Sequence, residues 1–164
     1  MIEIRFARRD DVSILREFIC ALAEYEKLSH ECFATDEKLA NTLFGEHPAA
    51  EALLAFYDGA PSGFALFFHN YSTFLAQSGL YLEDIFVKPE LRRRGIGAAL
   101  FRRLSEIACE RGCGRFEWTA LDWNTPAIEF YKRMGAQAMT DWTTFRLSGE
   151  ALKSFASQAA QQQQ

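Results

Sequence analysis

This sequence of 164 residues lacks the features that mark several large classes of protein. It has four cysteines but no CxxC pair, and no charged segment followed by an apolar one stands at its start. We therefore expect a cytoplasmic protein in a reducing compartment, whose thiols behave as small buried hydrophobic groups. No run approaches the roughly 18 consecutive apolar residues of a membrane span, so no membrane partner is expected.

An excess of basic residues is also missing. Eighteen Lys and Arg against 22 Asp and Glu give a net charge of −4. A mildly acidic domain gathers few phosphates non-specifically, so we expect no nucleic-acid partner and favour a cationic one. Cys109 and Cys113 have a spacing that two metal ligands on a helix could share, but no His is near them in the sequence and no metal is predicted.

The chain does have a large apolar fraction. It is 49% hydrophobic, with 15 Phe and 3 Trp, which is too much apolar surface to leave in water. The length suits one domain. We predict a single domain over residues 1–160, followed by a disordered tail of four glutamines at 161–164.

Hydrophobic periodicity predicts the order of strands and helices. Alternation or short apolar runs predict strands over residues 2–6, 52–57, 64–68, 80–87, 116–121 and 143–147. Helical spacing predicts helices over 12–25, 35–45, 95–112, 124–134 and 148–160. A turn is expected at 58–59 and 61–63. This order favours one α+β or α/β domain with a mixed sheet.

The segment Arg92-Arg93-Arg94-Gly95-Ile96-Gly97 lies between a buried strand and a strongly periodic helix. Glycines let the backbone turn tightly, and the first turn of a helix presents unpaired N–H groups at its positive end. That combination can bind phosphate, and the arginines add charge beside it. The segment is neither GxGxxG nor a P-loop. The alternative is a solvated basic turn.

Two further features carry chemistry. Glu83 and Asp84 interrupt an apolar strand, where neighbours on a regular strand would point to opposite faces and a buried carboxylate is costly. They indicate a strand that opens onto a cleft, or else a structural salt bridge to an arginine.

Tyr131, on a short helix opened by Pro126, could donate a proton to a leaving thiolate, but a core position beside Phe130 is the alternative.

Read in chain order, residues 80–98 and 124–136 resemble the GNAT superfamily of N-acetyltransferases. The basic loop matches its acetyl-CoA signature, (Arg/Gln)-x-x-Gly-x-(Gly/Ala). The closer similarity is to the spermidine/spermine (diamine) and thialysine N-acetyltransferases. It rests on Tyr81-Leu82-Glu83-Asp84, Trp123-Asn124, Phe130-Tyr131-Lys132-Arg133 and Gly135-Ala136, with Ala23, Tyr25-Glu26 and residues 44–48 further back.

The resemblance implies a GNAT fold, a single domain whose mixed, mostly antiparallel central sheet is flanked by helices and splayed at the acetyl-CoA strand. It implies direct acetyl transfer from acetyl-CoA to a primary amine of a small molecule. Tyr131 takes the position of the general acid and Glu83 that of the base, acting through water. A homodimer is also implied.

The resemblance further implies two sets of binding residues. Those for acetyl-CoA are Ile85, Phe86, Val87, Arg92, Arg93, Arg94, Gly95, Ile96, Gly97, Ala98, Asn124, Thr125, Pro126 and Ala127. Those for the amine are Tyr25, Glu26, Glu83, Asp84, Glu117, Trp118 and Thr119.

Some positions depart from the polyamine enzymes. Ser72 and Phe74, and later Thr143 and Phe145, stand near places where those enzymes carry an acidic residue and Trp. Fewer anionic contacts favour an amine shorter or less charged than spermine, such as a diamine or a lysine-like amino acid (thialysine, for example). Acetylation of a peptide or protein amine, and a non-catalytic acyl-CoA-binding module, are the alternatives.

Overall fold

The structure is a computed structural model in which residues 1–161 are described. The strands are β1 (Ile2–Phe6), β2 (Glu51–Tyr57), β3 (Ala60–Ser72), β4 (Gln77–Val87) and β5 (Phe116–Trp118). The helices are α1 (Val12–Tyr25), α2 (Asp36–Phe44), α3 (Ile96–Glu110), α4 (Thr125–Arg133) and α5 (Gly149–Gln161). Apart from Gln161, which ends α5, the predicted tail lies outside the described residues.

The chain forms two compact units, the first spanning Met1–Thr119 and the second beginning at Ala120. The first unit holds the whole sheet with α1, α2 and α3, and the second holds α4 and α5. The domain boundary expected at residue 160 stays a prediction.

The sheet is mixed and has the order β1-β2-β3-β4-β5. Its first four strands pair antiparallel, whereas β4 and β5 are parallel. That parallel pairing extends only over Leu80–Leu82 opposite Phe116–Trp118. Beyond Leu82, β4 runs on to Val87 with no partner on that side among the described residues, so the sheet is open there, as the resemblance implied.

Both faces of the sheet are covered by helices. On one face, Leu15 and Phe18 of α1 pack against Leu54, Phe64 and Phe86. The Phe18 and Phe64 rings stack with their centroids 6.0 Å apart. The opposite face is covered by α3, whose buried residues are the five that the helical spacing predicted together with Phe101: Ile96, Leu100, Leu104, Ile107 and Ala108.

Local chemistry explains several boundaries. The Thr35 hydroxyl accepts a hydrogen bond from the Lys38 N–H at 3.2 Å and so caps α2. Asp58 and Gly59, with φ of 50° and 82°, form the two-residue turn between β2 and β3, because positive φ at both positions suits the twist of a hairpin.

The prediction that residues 61–63 belong to this turn is wrong, because they lie inside β3. The register between β2 and β3 shifts there, Ala55 pairing with Gly63 and Phe56 with Pro61, which leaves Ser62 as the extra residue of a β-bulge. Ser62 is fully buried, and its hydroxyl donates to the Ala55 carbonyl at 2.9 Å. A polar, turn-like sequence therefore fits inside a strand.

Three other predictions are wrong. The fifth strand ends at Trp118 rather than at residue 121. Residues 143–147 form no strand: Phe145 is 90% exposed, because alternation makes a strand only where a neighbouring strand accepts its hydrogen bonds. The cysteines are not buried, since Cys20 and Cys109 are exposed while Cys32 and Cys113 are half-buried.

No α-helix in the part of the chain that the structure describes is long and apolar enough to cross a membrane.

Candidate active site

The start of α3 is built to receive an anion. Gly95 is its N-cap and adopts the left-handed conformation, with φ of 84°. No side chain caps this end, and no acidic residue lies in the first turn. The N–H groups of Ile96, Gly97 and Ala98 therefore point out of the helix at the positive end of its dipole. A Cβ added to Gly97 would meet only Val87, at 4.0 Å, so the space beside these groups is open.

The open edge of β4 leads directly to this helix start. Residues 84–87 pair with β3 on one side and with no described strand on the other, and the turn Pro89–Leu91 then carries the chain to the basic loop. Backbone groups along such an edge can pair with an extended, amide-containing chain as another strand would. The free edge of β4 therefore leads to an anion-binding helix start at residues 95–98, which we call the phosphate seat. This arrangement fits coenzyme A, which joins an amide-containing arm to a diphosphate.

Two of the three arginines are held by tyrosines. The Arg92 guanidinium lies 4.5 Å from the centre of the Tyr25 ring, and its Nε donates to the Val87 carbonyl at 3.2 Å. Arg94 lies 5.2 Å from the centre of the Tyr57 ring and donates to the Tyr57 hydroxyl at 3.3 Å. Such cation–π contacts limit the directions in which a long cationic side chain can point. Tyr57 was not predicted from the sequence, because nothing local marks it.

The carboxylates of β4 lie at an irregularity of the sheet. Leu66 pairs with Asp84 but Phe67 pairs with Leu82, so Glu83 is the extra residue of a second bulge. The prediction of a regular strand with one carboxylate on each face is wrong at this point. A bulge redirects side chains, and here it leaves Glu83 exposed while Asp84 is half-buried.

Glu26, at the end of α1, joins Glu83 and Asp84 in one carboxylate cluster. Burial raises the pKa of Asp84 to about 6, with further contributions from the charges of Glu83 and Glu26. Burial also raises the pKa of Glu26. None of the three makes an ion pair with any described residue, so the salt-bridge alternative for Glu83 and Asp84 is not realised. Uncompensated charge of this kind favours a bound cation.

The residues expected on β5 are engaged within the protein. Glu117 lies 2.8 Å from the Arg115 guanidinium and accepts a hydrogen bond from the Asn70 amide at 2.9 Å. The Trp118 ring lies edge-on to Phe101, with their centroids 5.0 Å apart. The negative charge of Glu117 is thus already compensated, unlike that of the carboxylate cluster, while Thr119 is exposed beyond the end of β5.

The second unit holds the other predicted residues. Asn124 is the N-cap of α4, whose first turn contains Thr125, Pro126 and Ala127. The Ala127 N–H donates to the Asn124 carbonyl at 3.1 Å. Tyr131 is half-buried, with its ring centroid 5.7 Å from that of Phe130. The roles of these residues stay predictions.

A metal centre is not suggested by the side chains. Among residues 1–161, no group of three or more His, Cys, Asp or Glu side chains is placed so that it could hold a metal ion.

Comparisons with known proteins agree with this geometry. Residues 19–136 match the model of the acetyltransferase (GNAT) family. The chain is 38% identical to the thialysine N-epsilon-acetyltransferase of Sus scrofa, covering 93% of this chain and 96% of that protein. It is 33% identical to an L-ornithine N5-acetyltransferase of Arabidopsis thaliana, covering 92% and 86% of the two chains.

Among solved structures, an integron cassette protein of V. cholerae superimposes with a TM-score of 0.80 at 28% identity, covering 94% of this chain and 97% of that one. The expected fold and the resemblance to thialysine acetyltransferases are thereby confirmed. The chain therefore belongs to the GNAT family, with that family's single-domain fold, and is an N-acetyltransferase.

Proposed function

We propose that this enzyme transfers the acetyl group of acetyl-CoA to a primary amine of a small, cationic molecule, either a diamine or a lysine-like amino acid. The observation that carries the proposal is the uncompensated cluster of Glu26, Glu83 and Asp84. Relatives named for the side-chain amines of thialysine and ornithine support the same class of acceptor.

On the acetyl-CoA side, the N–H groups of residues 93–98 bind the diphosphate and the free edge at 85–87 pairs with the extended arm. The uncapped helix start and the one-sided pairing of β4 support these roles. Arg92 and Arg94 add positive charge from positions held by Tyr25 and Tyr57. When bound, acetyl-CoA supplies an activated thioester. The assignment of residues 124–127 to the border of this site rests on the resemblance.

On the amine side, the carboxylates have two tasks. A free amine with a pKa near 10.4 is protonated at neutral pH, so it is bound as a cation and must lose a proton before it can attack. Asp84 and Glu26 hold the cation, and Glu83, exposed at the bulge, removes the proton through water. Tyr131 as the general acid for the departing thiol rests on the resemblance, as does the homodimer, whereas the cytoplasmic location rests on the cysteine usage.

Two measurements test this proposal. Titration calorimetry with acetyl-CoA should show binding, and a thiol-release assay over a panel of amines should show turnover. We expect diamines, ornithine and thialysine to exceed a simple monoamine of equal length, because their second polar group gives the site more to bind. Binding of acetyl-CoA with no thiol release from any small amine would contradict the proposal and favour a peptide or protein amine as the acceptor.

A further inference from the structure

Two cysteines outside the proposed active site lie next to each other. The Cys20 sulfur, on α1, is 3.8 Å from the sulfur of Cys32. The chain reverses between them: α1 ends at Tyr25, Lys27 takes a left-handed conformation with φ of 62°, and the Leu28 N–H donates to the Ala23 carbonyl at 2.8 Å. This turn, followed by the 3-10 helix Ser29–Glu31, returns Cys32 to the side of α1.

We propose that Cys20 and Cys32 form an oxidisable dithiol, which a small-molecule disulfide such as glutathione disulfide converts into an intramolecular disulfide. Nothing in this proposal depends on the acetyl transfer proposed above.

Contact distance and accessibility support the reaction. A disulfide has a sulfur–sulfur length near 2.05 Å, so the two sulfurs must approach each other by about 1.7 Å. Rotation about the side-chain bonds, with a small shift of the short segment 26–32, can supply such a movement. Cys20 is exposed and Cys32 half-buried, so a reagent can reach the pair from solvent.

The chemistry takes place in two exchange steps. The Cys20 thiolate attacks one sulfur of glutathione disulfide, which forms a mixed disulfide and releases one glutathione thiolate. The Cys32 thiolate then attacks the Cys20 sulfur of the mixed disulfide and releases the second glutathione. Two protein thiols are oxidised, one glutathione disulfide is reduced to two glutathione molecules, and the protons of the protein thiols pass to the released thiolates.

The reaction is expected to be slow at neutral pH. Burial and the neighbouring Cys32 raise the pKa of the Cys20 thiol, and the positive charge of Arg16 offsets only part of that effect. Because only the thiolate attacks, the experiment is best run at about pH 8.5.

The bond would close a ring from Cys20 to Cys32 that contains Tyr25 and Glu26. Oxidation would therefore restrict the motion of the C-terminal end of α1. This end carries Glu26 of the carboxylate cluster and Tyr25, whose ring contacts Arg92. A ring of this length restricts the unfolded chain, so the oxidised protein should unfold at a higher temperature, by up to about 10 °C.

Peptide mapping tests the proposal on the folded, full-length protein. After incubation with glutathione disulfide, the remaining thiols are alkylated and the protein is digested with trypsin without reductant. Cleavage after Arg16, Lys27 and Lys38 separates the two cysteines into peptides 17–27 and 28–38. We expect these two peptides joined by a disulfide and, in a sample taken before alkylation, an intact mass lower by two hydrogen atoms than that of the reduced protein.

Three variants serve as controls. Cys20→Ser and Cys32→Ser should each abolish the joined peptides and the rise in Tm, whereas Cys109→Ser, which removes another exposed thiol, should keep both. A stable mixed disulfide on Cys20 without joined peptides would overturn the proposal. Disulfides that join Cys20 or Cys32 to Cys109 in the same yield would also overturn it. Peptide mapping of the wild-type protein detects such disulfides directly, so this outcome does not depend on the folding of any variant.

Discussion

The substitution Asp84→Asn should stabilise the fold and weaken amine binding at the same time. Asp84 is a half-buried carboxylate next to Glu83 and Glu26, and its pKa is raised from 3.8 to about 6. At neutral pH the carboxylate is therefore ionised at a cost in free energy to the folded protein. Asparagine keeps the shape of the side chain but removes the charge. Loss of that charge should both stabilise the fold and weaken the binding of a cationic amine.

The size of the stabilisation follows from the pKa. A rise of about two pKa units corresponds to about 3 kcal/mol at 1.36 kcal/mol per unit. The folded pKa lies above the unfolded one, so the folded state holds its proton longer, and ionised Asp84 lowers stability as pH rises from about 4 to above 6. At pH 7.5 the variant should gain up to about 3 kcal/mol, or about 6–12 °C in Tm.

The stability that Asp84→Asn gains over the wild-type protein should become smaller as the pH falls. Below about pH 4, Asp84 is protonated in both the folded and unfolded states, so the charge that asparagine removes is already absent. Denaturant unfolding of both proteins at several pH values measures this dependence. Glu51→Gln is the matched control, because the Arg111 guanidinium lowers the pKa of Glu51, and losing that charge should destabilise the protein at pH 7.5.

The kinetic effect of Asp84→Asn should be confined to the KM for the amine. A hydrogen bond to a charged group contributes about 1.5–3 kcal/mol, so the KM for the amine should rise about tenfold to a hundredfold, with the KM for acetyl-CoA unchanged. If Asp84→Asn leaves both stability and its pH dependence unchanged, the desolvation argument is refuted. If the variant is stabilised but the amine KM does not move, Asp84 has no part in holding the cation.

Three further predictions concern other parts of the molecule. Tyr131→Phe should lower kcat sharply and leave the Kd of acetyl-CoA by calorimetry nearly unchanged; an unchanged kcat would exclude Tyr131 as the general acid. Gly95→Ala places a side chain at a φ of 84°, which costs about 1–2 kcal/mol and should weaken acetyl-CoA binding, whereas Gly59→Ala, at a φ of 82° in a hairpin, should lower Tm without changing that Kd. Thr35→Ala removes the cap of α2 and should cost about 1 kcal/mol in chemical unfolding, while Thr35→Ser should restore most of it.

Much of the first unit could be predicted from the sequence, because its elements carry regular burial patterns. Ile2–Phe6, Val12–Tyr25 and the helix after Gly95 were predicted within two residues. Their apolar periods report which side of each element meets the core. Residues 143–147 show the same local alternation, but they have no neighbouring strand and form no strand.

The phosphate seat is the part of the candidate site that local sequence predicts best. A glycine before a helix, an uncapped first turn and the basic residues beside it are all contiguous, so their chemistry needs no distant partner. The tyrosines under Arg92 and Arg94 come from α1 and β2, and only the packing of these elements places them there.

By itself, the sequence determined which groups are present and which period each segment follows, and hence the family, the helix start that we propose binds a phosphate and a strand that carries two carboxylates. Tertiary structure alone decided that a bulge exposes Glu83, that Glu26 from another element raises the pKa of Asp84, and that two cysteines of unremarkable spacing come into contact. The physical reason is range: apolar periods and helix-end signals are carried by residues close together in the chain, whereas electrostatic and sulfur–sulfur contacts depend on distances that exist only after the elements have packed.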